Sequence, residues 1–404
     1  MSQRATTIFN STRQWLRILT FLHSFEPGGV ERIALRLIRQ WRDRGIDAPL
    51  FMGRPTGAMR DELAQDLVYG LPRPSRVPIA WCETLWMIVT LPRFIGRTKP
   101  DVLFCAGNSY TIVAVAMKLI LGRACPPILA KISNDLDRKD IIWPARMAYR
   151  LWLRIQGRFI DGFVGMEQPM AAEIAAAIRP RRGGIAIIPD PALSHSQIDN
   201  MRAALRPTAE RSRDVRFVAV GRLAPQKNFA LMLRAFAAAA QLGDTLVIYG
   251  DGPERGKLST LIDRLKMRDY ITLAGHVPDP ARHLPDFDVF LLSSDYEGVP
   301  AVLLEALAAN RPIITTQCSC SIRAMMGEGT LAHIVPAGDE AAFTRAIGSA
   351  RDLKQDMAAS LRQARRFTVE DAAGAYLAAF GATQKNSKPR LREDRECVVS
   401  APTP

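Results

Sequence analysis

The sequence predicts two α/β domains, each built on a parallel sheet, and three observations support this fold class. Short apolar stretches alternate with longer amphipathic ones in both halves of the chain, which is typical of strands followed by helices. The alternation stops where residues 191–214 become polar, so we expect an interdomain linker there. The chain has 404 residues, 48% of them hydrophobic, which is enough for two cores and too apolar for a disordered protein.

Residues 15–190 are expected to form the first domain, after an N-terminal extension over residues 1–14. Gly28 and Gly29 turn the chain after the first candidate strand, and the apolar residues at 30, 33, 34, 37, 38 and 41 then have helical spacing. The candidate strands of this domain are Leu16–Leu22, Asp101–Cys105, Pro127–Ile132, Gly162–Gly165 and Ile185–Ile188.

Residues 215–369 repeat the pattern and are expected to form the second domain. A final helix is predicted over residues 370–383, and residues 384–404 are expected to be a mobile tail because they contain few apolar side chains. Two such domains place a ligand in the cleft between them, near the carboxyl ends of the strands. The candidate elements of this domain are the strands Arg216–Val220, Thr245–Tyr249, Tyr270–Leu273, Asp288–Leu292 and Pro312–Thr315 and the helices Phe229–Gln241 and Glu254–Lys266.

The formal net charge is +14, and most of the excess lies in the first half of the chain. Residues 1–190 hold 27 Lys and Arg against 16 Asp and Glu, whereas residues 191–404 hold 27 against 24. We therefore expect this half to meet an anionic partner: phospholipid, nucleic acid or a phosphorylated substrate. The sequence has no apolar run of bilayer length, no signal-peptide core and no cysteine framework, so we expect a cytoplasmic protein.

The segment Ser293–Leu307 carries the richest pattern of polar residues. Gly298 suits a tight turn between a strand and a helix, which places Glu297 in the loop and Glu305 on the helix, roughly 6–8 Å further along the axis. The free amides near residues 298–301 then form an anion site. The alternative is an amphipathic helix with solvated glutamates. Glu305 lies in an apolar run, however, and burying a carboxylate there costs free energy unless the group has a binding partner.

Other loops after candidate strands carry basic residues or glycines. Arg222 and Lys227 follow one strand, where they would compensate the charge of a departing phosphate, although isolated basic residues in loops are usually solvated. Gly275 and Val277, on either side of His276, would present backbone groups to a base edge. Gly28-Gly29 either lets a phosphate or sugar approach closely or is a plain tight turn. The sequence has no GxGxxG motif, which argues against a nicotinamide dinucleotide site.

Together these motifs resemble glycosyltransferase family 4, whose members have the GT-B architecture of two facing Rossmann-like domains with a ligand cleft between them. The motifs occur in family order and are dense from residue 215 to residue 347, whereas the first domain matches thinly beyond Gly28 and Gly29. The resemblance is carried by Pro-Gly-Gly-Val-Glu-Arg (27–32), Val-Gly-Arg-Leu-Ala-Pro-Gln-Lys-Asn (220–228), Tyr-Gly-Asp-Gly-Pro-Glu (249–254), Leu-Ala-Gly-His-Val (273–277) and Asp-Tyr-Glu-Gly-Val-Pro-Ala-Val-Leu-Leu-Glu-Ala (295–306).

This resemblance implies roles for individual residues. Arg222 and Lys227 match the diphosphate-binding pair, Glu305 the carboxylate that binds the nucleotide's ribose, and Glu297 the carboxylate that faces the donor sugar. The family retains anomeric configuration and needs no metal or other cofactor, because the basic pair and the helix N-terminus take the place of a cation. The remaining donor-side residues under this resemblance are Gly28, Gly29, Gly275, His276, Val277, Gly298 and Val299.

The sequence departs from the family pattern in the first domain. Many relatives carry a histidine or aspartate after the strand that corresponds to Asp101–Cys105, whereas this chain has Asn108 there. An asparagine hydrogen-bonds a sugar hydroxyl but cannot act as a base. Asn134 and Asp135, after the next strand, are the nearest substitutes, and we assign Asn108 and Asn134 to the acceptor side.

Two acidic and cysteine motifs are not expected to bind metal. Asp286-Phe-Asp288 imitates the metal-binding Asp-x-Asp of another glycosyltransferase class, but it falls where this fold begins a strand. Cys318 and Cys320 have no partner histidines.

Arginines recur at four-residue steps within residues 138–159, at positions 146, 150, 154 and 158. The positive charges of four arginines on one helix face repel one another unless an anion binds them. These arginines are Arg146, Arg150, Arg154 and Arg158. The aromatic residues Trp143, Tyr149, Trp152 and Phe159 are interleaved with them, as suits a membrane boundary. The two interpretations are a solvated face over a core and peripheral docking on an anionic inner leaflet.

The sequence therefore predicts a retaining glycosyltransferase that moves a sugar from a nucleotide donor to a glycan or lipid-linked acceptor, in cell-surface polysaccharide or glycolipid synthesis. A GT-B nucleotide-sugar epimerase is a second enzymatic hypothesis. The third is a basic module that binds membrane or nucleic acid without catalysis, but the sequence lacks the RNP, zinc and helix-turn-helix signatures of nucleic-acid binding.

Overall fold

The computed structural model describes residues 16–26, 28–57, 59–72, 82–133, 136, 142–205 and 214–387. The predicted N-terminal extension lies outside these residues, as do Asn134 and Asp135. In the part of the chain that is described, no helix combines the length and apolar composition needed to cross a membrane.

The first domain is built on a parallel sheet of seven described strands in the order β3-β2-β1-β4-β5-β6-β7. The strands β1, β4, β5 and β6 are buried along their whole length, which explains their continuous apolar sequences. The strands are β1 (Ile18–Leu22), β2 (Leu50–Met52), β3 (Tyr69–Gly70), β4 (Val102–Cys105), β5 (Ile128–Lys131), β6 (Gly162–Gly165) and β7 (Ile185–Ile187). The helices are α1 (Gly29–Asp43), α2 (Met59–Leu63), α3 (Glu83–Thr98), α4 (Thr111–Leu121), α5 (Trp143–Phe159) and α6 (Gln168–Ala177).

The second domain repeats this plan with six described parallel strands in the order β10-β9-β8-β11-β12-β13. Its strands are β8 (Arg216–Val220), β9 (Thr245–Tyr249), β10 (Ile271–Gly275), β11 (Val289–Leu292), β12 (Ile313–Thr316) and β13 (His333–Val335). Its helices, with those flanking it, are α7 (His195–Ala203), α8 (Phe229–Ala239), α9 (Arg255–Arg264), α10 (Ala301–Ala308), α11 (Ile322–Met325), α12 (Glu340–Gly348), α13 (Met357–Arg365) and α14 (Val369–Ser387).

Each sheet reverses its strand order at one place, between β1 and β4 in the first domain and between β8 and β11 in the second. The connections on the two sides of such a point leave in opposite directions and open a crevice at the carboxyl ends of the strands. We call these two points the crevices of the two domains. The loops that carry Arg222, Lys227 and Glu297 flank the second, and those that carry Gly28, Gly29 and Asn108 flank the first.

The segment predicted as an interdomain linker contains a helix that the sequence did not predict. Helix α7 is capped by Ser194, whose hydroxyl accepts from the Gln197 amide while the Gln197 side chain accepts from the Ser194 amide. Ile198 and Met201 are buried in the core of the second domain. The sequence did not predict this helix because most of its other residues are polar and leave no clear helical spacing of apolar residues.

Helix α14 extends to Ser387 and so enters residues 384–404, which were expected to be a mobile tail. The predicted start of that tail is therefore corrected. It packs on the first domain rather than on the second. The Trp41 ring lies 5.3 Å from that of Phe380, and Phe104 lies 5.2 Å from Tyr376, measured between ring centroids. The chain thus returns to the first domain after completing the second, with Leu193 hydrogen-bonded to Phe367 and Val369 where the two crossings run side by side.

Helix α5 presents its arginines as predicted, but its aromatic residues divide between two environments. Arg150, Arg154 and Arg158 are exposed, whereas Arg146 is half-buried. Tyr149, Trp152 and Phe159 pack against the first core, contrary to the expectation of an aromatic surface. The exposed apolar residues of this helix are instead Trp143, Met147 and Leu151, also at four-residue steps.

Candidate active site

The crevice of the second domain brings Lys227 and Glu297 into contact. The Lys227 ammonium is paired with Oε1 of Glu297, and these side chains are only 18% and 11% exposed. The Ser294 hydroxyl donates to the same carboxylate oxygen at 2.7 Å, and the Gln226 amide donates to Oε2 at 3.4 Å. Two residues predicted from separate motifs thus form one polar centre at the carboxyl edge of the sheet.

Backbone contacts hold the two loops that carry this pair. The Asp295 amide donates to the Gln226 carbonyl at 2.9 Å, and the Ser293 hydroxyl donates to the Lys227 carbonyl at 2.9 Å. Asn228 has a left-handed backbone and caps helix α8, and its side-chain amide donates to Asp295 at 2.8 Å. The loop after β8 is therefore fixed against the loop after β11 before any ligand binds.

Arg222 lies on the same loop as Lys227 but is more open. It is exposed and follows Gly221, at which an added Cβ would lie 3.4 Å from Cε of Lys227. Gly250 has a φ of +139°, and a Cβ there would lie 2.0 Å from the Gly221 carbonyl oxygen. The loops after β8 and β9 are packed this closely because Gly250 has no side chain, which sets where the backbone of Arg222 runs.

Helix α10 begins later than the sequence predicted. Its first residue is Ala301 and its N-cap is Pro300, so Gly298 and Val299 lie in the preceding loop and not in the first turn. The expectation of an amide cluster at 298–301 is therefore corrected to a loop that leads into the helix. Val299 packs against the cores of both domains, which places this loop where the domains meet.

Glu305 lies in α10 and faces the first domain. Burial raises the pKa of its carboxyl group, and the guanidinium groups of Arg36 and Arg32 oppose that rise. Arg36 donates to the Ala192 carbonyl at 2.5 Å and so links α1 to the interdomain connection. Sequence reasoning missed Arg32 and Arg36; their spacing of one turn on the helix after Gly28-Gly29 was the available signal.

Gly28 and Gly29 form the start of α1, with Gly28 as its N-cap. Glu31, in the first turn, accepts a hydrogen bond of 2.6 Å from the Tyr110 hydroxyl, which fixes this turn against the loop after β4. Both glycines therefore follow β1, at the point where the strand order of the first sheet reverses.

Asn108 also lies at this crevice, after β4. Its Oδ1 accepts from the Ser133 amide at 2.8 Å and from the Ser133 hydroxyl at 3.3 Å. Its side-chain NH₂ has no partner among the residues of known placement, so Asn108 is suited to donate to a ligand rather than to accept from one. Asn134 and Asp135 lie outside the described residues.

The remaining predicted residues fall in two places. Gly275 ends β10 with a φ of +80°, and its carbonyl already accepts from the Gly250 amide at 2.8 Å. His276 is exposed and Val277 is half-buried at the same edge. Asp288 binds the amide and side chain of Arg216 at the start of β8, so it caps the opposite edge of the sheet, as expected for a strand start.

Cys318 and Cys320 lie in different environments. Cys318 is buried, burial raises its pKa to about 12, and its carbonyl accepts from the Glu297 amide at 2.8 Å. Cys320 is exposed at the surface. Within the described ranges, no cluster of His, Cys, Asp and Glu has the arrangement of a metal site.

Family models match both halves of the chain. Residues 27–191 match the model of Glycosyltransferase Family 4, and residues 214–351 match that of Glycosyl transferases group 1. The lipopolysaccharide core biosynthesis glycosyltransferase LpsE of Rhizobium meliloti is 32% identical over 334 residues, which cover 81% of this chain and 87% of LpsE.

Other relatives match over shorter regions. The uncharacterized glycosyltransferase MJ1059 of Methanocaldococcus jannaschii is 33% identical over 27% of this chain and 28% of its own length. The putative colanic acid glycosyltransferase WcaL of Escherichia coli is 28% identical over 44% of this chain and 46% of its own length. The chain thus spans less than half the length of these two relatives.

Solved structures share the fold over nearly the whole chain. The apo form of the lipopolysaccharide outer core galactosyltransferase WaaB superposes with a TM-score of 0.69 at 18% identity, covering 91% of this chain and 99% of WaaB. Anabaena HepE in complex with UDP and glucose superposes with a TM-score of 0.68 at 16% identity, covering 91% and 100%. The chain therefore has the GT-B fold and belongs to glycosyltransferase family 4.

Proposed function

We propose that this protein transfers a sugar, with retention of anomeric configuration, from a nucleotide donor to a glycan or lipid-linked acceptor. The contact between Lys227 and Glu297 at the crevice of the second domain carries the proposal. A departing diphosphate needs positive charge, and a sugar that develops cationic character needs a carboxylate. Both groups are present within one preorganised centre.

The reaction breaks the bond between the anomeric carbon and the donor phosphate and forms a bond to the acceptor oxygen on the same face. Lys227 and Arg222 stabilise the leaving diphosphate in place of a metal ion, and Glu297 faces the oxocarbenium-like sugar. The acceptor hydroxyl gives its proton to the leaving phosphate oxygen. Glu305 accepts hydrogen bonds from the ribose, which a buried carboxylate does strongly.

We place the acceptor among cell-surface polysaccharides or glycolipids. LpsE is named for lipopolysaccharide core synthesis and WcaL for colanic acid synthesis. HepE was crystallised with UDP and glucose, so UDP-sugars are the first donors to test.

Thermal unfolding with UDP-, GDP-, ADP- and dTDP-sugars tests the donor site. One of these nucleotide sugars should raise the melting temperature of the protein, and Glu305→Ala should reduce that rise. Conversion of the donor without any acceptor would favour the epimerase hypothesis. Stabilisation by polyanions with no response to any nucleotide would favour a binding module.

We further propose that one face of the first domain docks on an anionic bilayer. On α3, Leu85 and Val89 are 65% and 66% exposed and are followed at four-residue steps by Arg93 and Arg97. On helix α5, which lies on the other side of α4 from α3, Trp143 and Leu151 are 72% and 63% exposed. Exposed apolar side chains beside arginines match the boundary between headgroups and acyl chains.

These helices run antiparallel to the strands, so their starts lie toward the carboxyl edge of the sheet. Leu85, Val89 and Trp143 stand near the starts of α3 and α5, at the edge that carries the crevice, and the arginines continue toward the opposite edge. A bilayer on this face would therefore bring lipid-linked acceptors to the crevice.

Flotation with vesicles of phosphatidylcholine, with or without phosphatidylglycerol, tests this surface. Binding should require the anionic lipid and should fall in Trp143→Ser/Leu151→Ser and in Arg150→Glu/Arg154→Glu. Leu242→Ser, which removes an exposed leucine of the second domain, should float like the wild type. Absence of binding to both vesicle types would exclude this docking face.

A further inference from the structure

We propose that His23 binds the acceptor hydroxyl in the crevice of the first domain; this inference rests on the function proposed above. The second domain uses its crevice, between β8 and β11, for Lys227 and Glu297. The matching crevice of the first domain lies between β1 and β4, and His23 directly follows β1. Ligands bind at such points in open parallel sheets, and His23 brings a titratable ring to this one.

The imidazole of His23 is held in a defined orientation. It stacks on the buried ring of Tyr110 with centroids 4.6 Å apart and planes inclined by 26°. Its Nε2 lies 3.4 Å from the Thr84 hydroxyl, at the start of α3. Its Nδ1 has no hydrogen-bond partner within the described residues, so one ring nitrogen is fixed and the other is available.

The charges around this ring favour its neutral form. Burial lowers the pKa of His23 below its usual value, and the nearby Arg54 guanidinium lowers it further. Arg54 comes from the loop after β2 and is paired with Glu83 of α3, and the Tyr110 hydroxyl donates to Glu31 of α1. A neutral imidazole among paired charges suits a neutral ligand group, such as a sugar hydroxyl, better than a phosphate.

Donation of Nε2–H to Thr84 leaves the Nδ1 lone pair free to accept a hydrogen bond from the acceptor hydroxyl. His23 then orients the attacking oxygen, while the proton goes to the leaving phosphate as proposed above. Asn108, on the β4 side of the same crevice, has an NH₂ with no partner in the described part of the chain and complements this role because it can donate to a sugar oxygen.

The test compares two uses of the same donor. His23→Phe keeps the stacking on Tyr110 and removes both ring nitrogens. The variant is assayed with radiolabelled nucleotide sugar for transfer to membranes from a strain that lacks the gene, and for hydrolysis by water without membranes. His333→Phe, at an exposed histidine of β13, is the matched control.

Transfer by His23→Phe should fall about 10- to 100-fold, the effect of a lost hydrogen bond in a buried site. Donor hydrolysis and the stabilisation by nucleotide should stay within about twofold, because Lys227, Glu297 and Glu305, which are proposed to bind the donor, lie in the second domain. Transfer by the wild type should also decline on acidification, but only at a pH below the ordinary titration range of histidine, because the lowered pKa of His23 keeps the ring neutral until then. His23→Phe should lose this decline.

Equal losses of transfer and hydrolysis, or unchanged transfer, would overturn the role of His23. Thr84→Val provides a second variant should His23→Phe not fold; it should slow transfer and leave hydrolysis unchanged, and unchanged transfer would again count against His23. If no nucleotide stabilises the wild type, the proposed function itself fails, which is a different outcome.

Discussion

Replacing Lys227 with methionine separates the structural and the ligand-binding consequences of its contact with Glu297. Methionine keeps an unbranched stem beside Gly221 and removes the ammonium group. Among the described residues, Glu297 then keeps the Ser294 hydroxyl at 2.7 Å and the Gln226 amide at 3.4 Å as side-chain donors. The carboxylate remains largely buried without its cation.

The structure sets the size of the effect. With side chains 18% and 11% exposed, the pair stands between a surface ion pair, worth up to about 1 kcal/mol, and a fully buried one, whose disruption costs about 3–5 kcal/mol. We expect Lys227→Met to lower the unfolding free energy by about 2 kcal/mol, or the melting temperature by about 4–8 °C. Loss of a charge-assisted hydrogen bond to the diphosphate should weaken nucleotide binding about 10- to 100-fold.

A double-mutant cycle with Glu297→Gln distinguishes the two effects. The double variant has no unpaired carboxylate, so it should recover most of the lost stability, with a coupling energy of about 1–2 kcal/mol. It should not recover nucleotide binding. Chemical denaturation and calorimetric titration with nucleoside diphosphates measure the two quantities. Wild-type affinity in the double variant would refute a phosphate-binding role for Lys227, and additive stabilities would refute the importance of the ion pair.

Other substitutions test the rest of the site. Arg222→Gln should weaken nucleotide binding about tenfold with little change in melting temperature, because Arg222 is exposed; unaltered binding measured by calorimetry would contradict this. Glu305→Gln should weaken binding about tenfold, yet the ligand-free protein should be at least as stable near neutral pH. Burial raises the Glu305 pKa, so ionising this group costs stability as pH rises through that value, and a denaturation series across pH should show this cost only in the wild type. Gly250→Ala should cost about 3 kcal/mol or more, because its Cβ would meet the Gly221 carbonyl, whereas Gly256→Ala in α9 should be neutral by the same thermal assay.

Much of the fold could be predicted from local sequence, because buried parallel strands need continuous apolar runs. The strands that form β6, β8 and β9 were predicted with the bounds that the structure has. Strands β2, β3 and β13 were not predicted, and each is only two or three residues long; β7 is equally short but was found from its apolar run. Helix α7 was missed because its helical period is masked by polar residues, although Ile198 and Met201 anchor it.

The candidate site was predictable only where a motif carried it. Lys227 and Glu297 were each expected at the cleft, and in the structure their side chains form an ion pair. The stacking of His23 on Tyr110 and the position of Arg36 opposite Glu305 depend on contacts between distant segments, and local spacing does not encode such contacts. Helix α10 starts later than the sequence predicted because Pro300 acts as its N-cap.

The packing of α14 on the first domain has a consequence for how the chain is made. Trp41 and Phe104 form an aromatic cluster with Tyr376 and Phe380, which the ribosome adds only after the whole second domain. Domains usually fold in the order of their synthesis. Here the domain that is translated first keeps an exposed aromatic face until α14 emerges from the ribosome. The second domain can therefore finish folding first. The nascent first domain is the one whose exposed face a chaperone would need to shield.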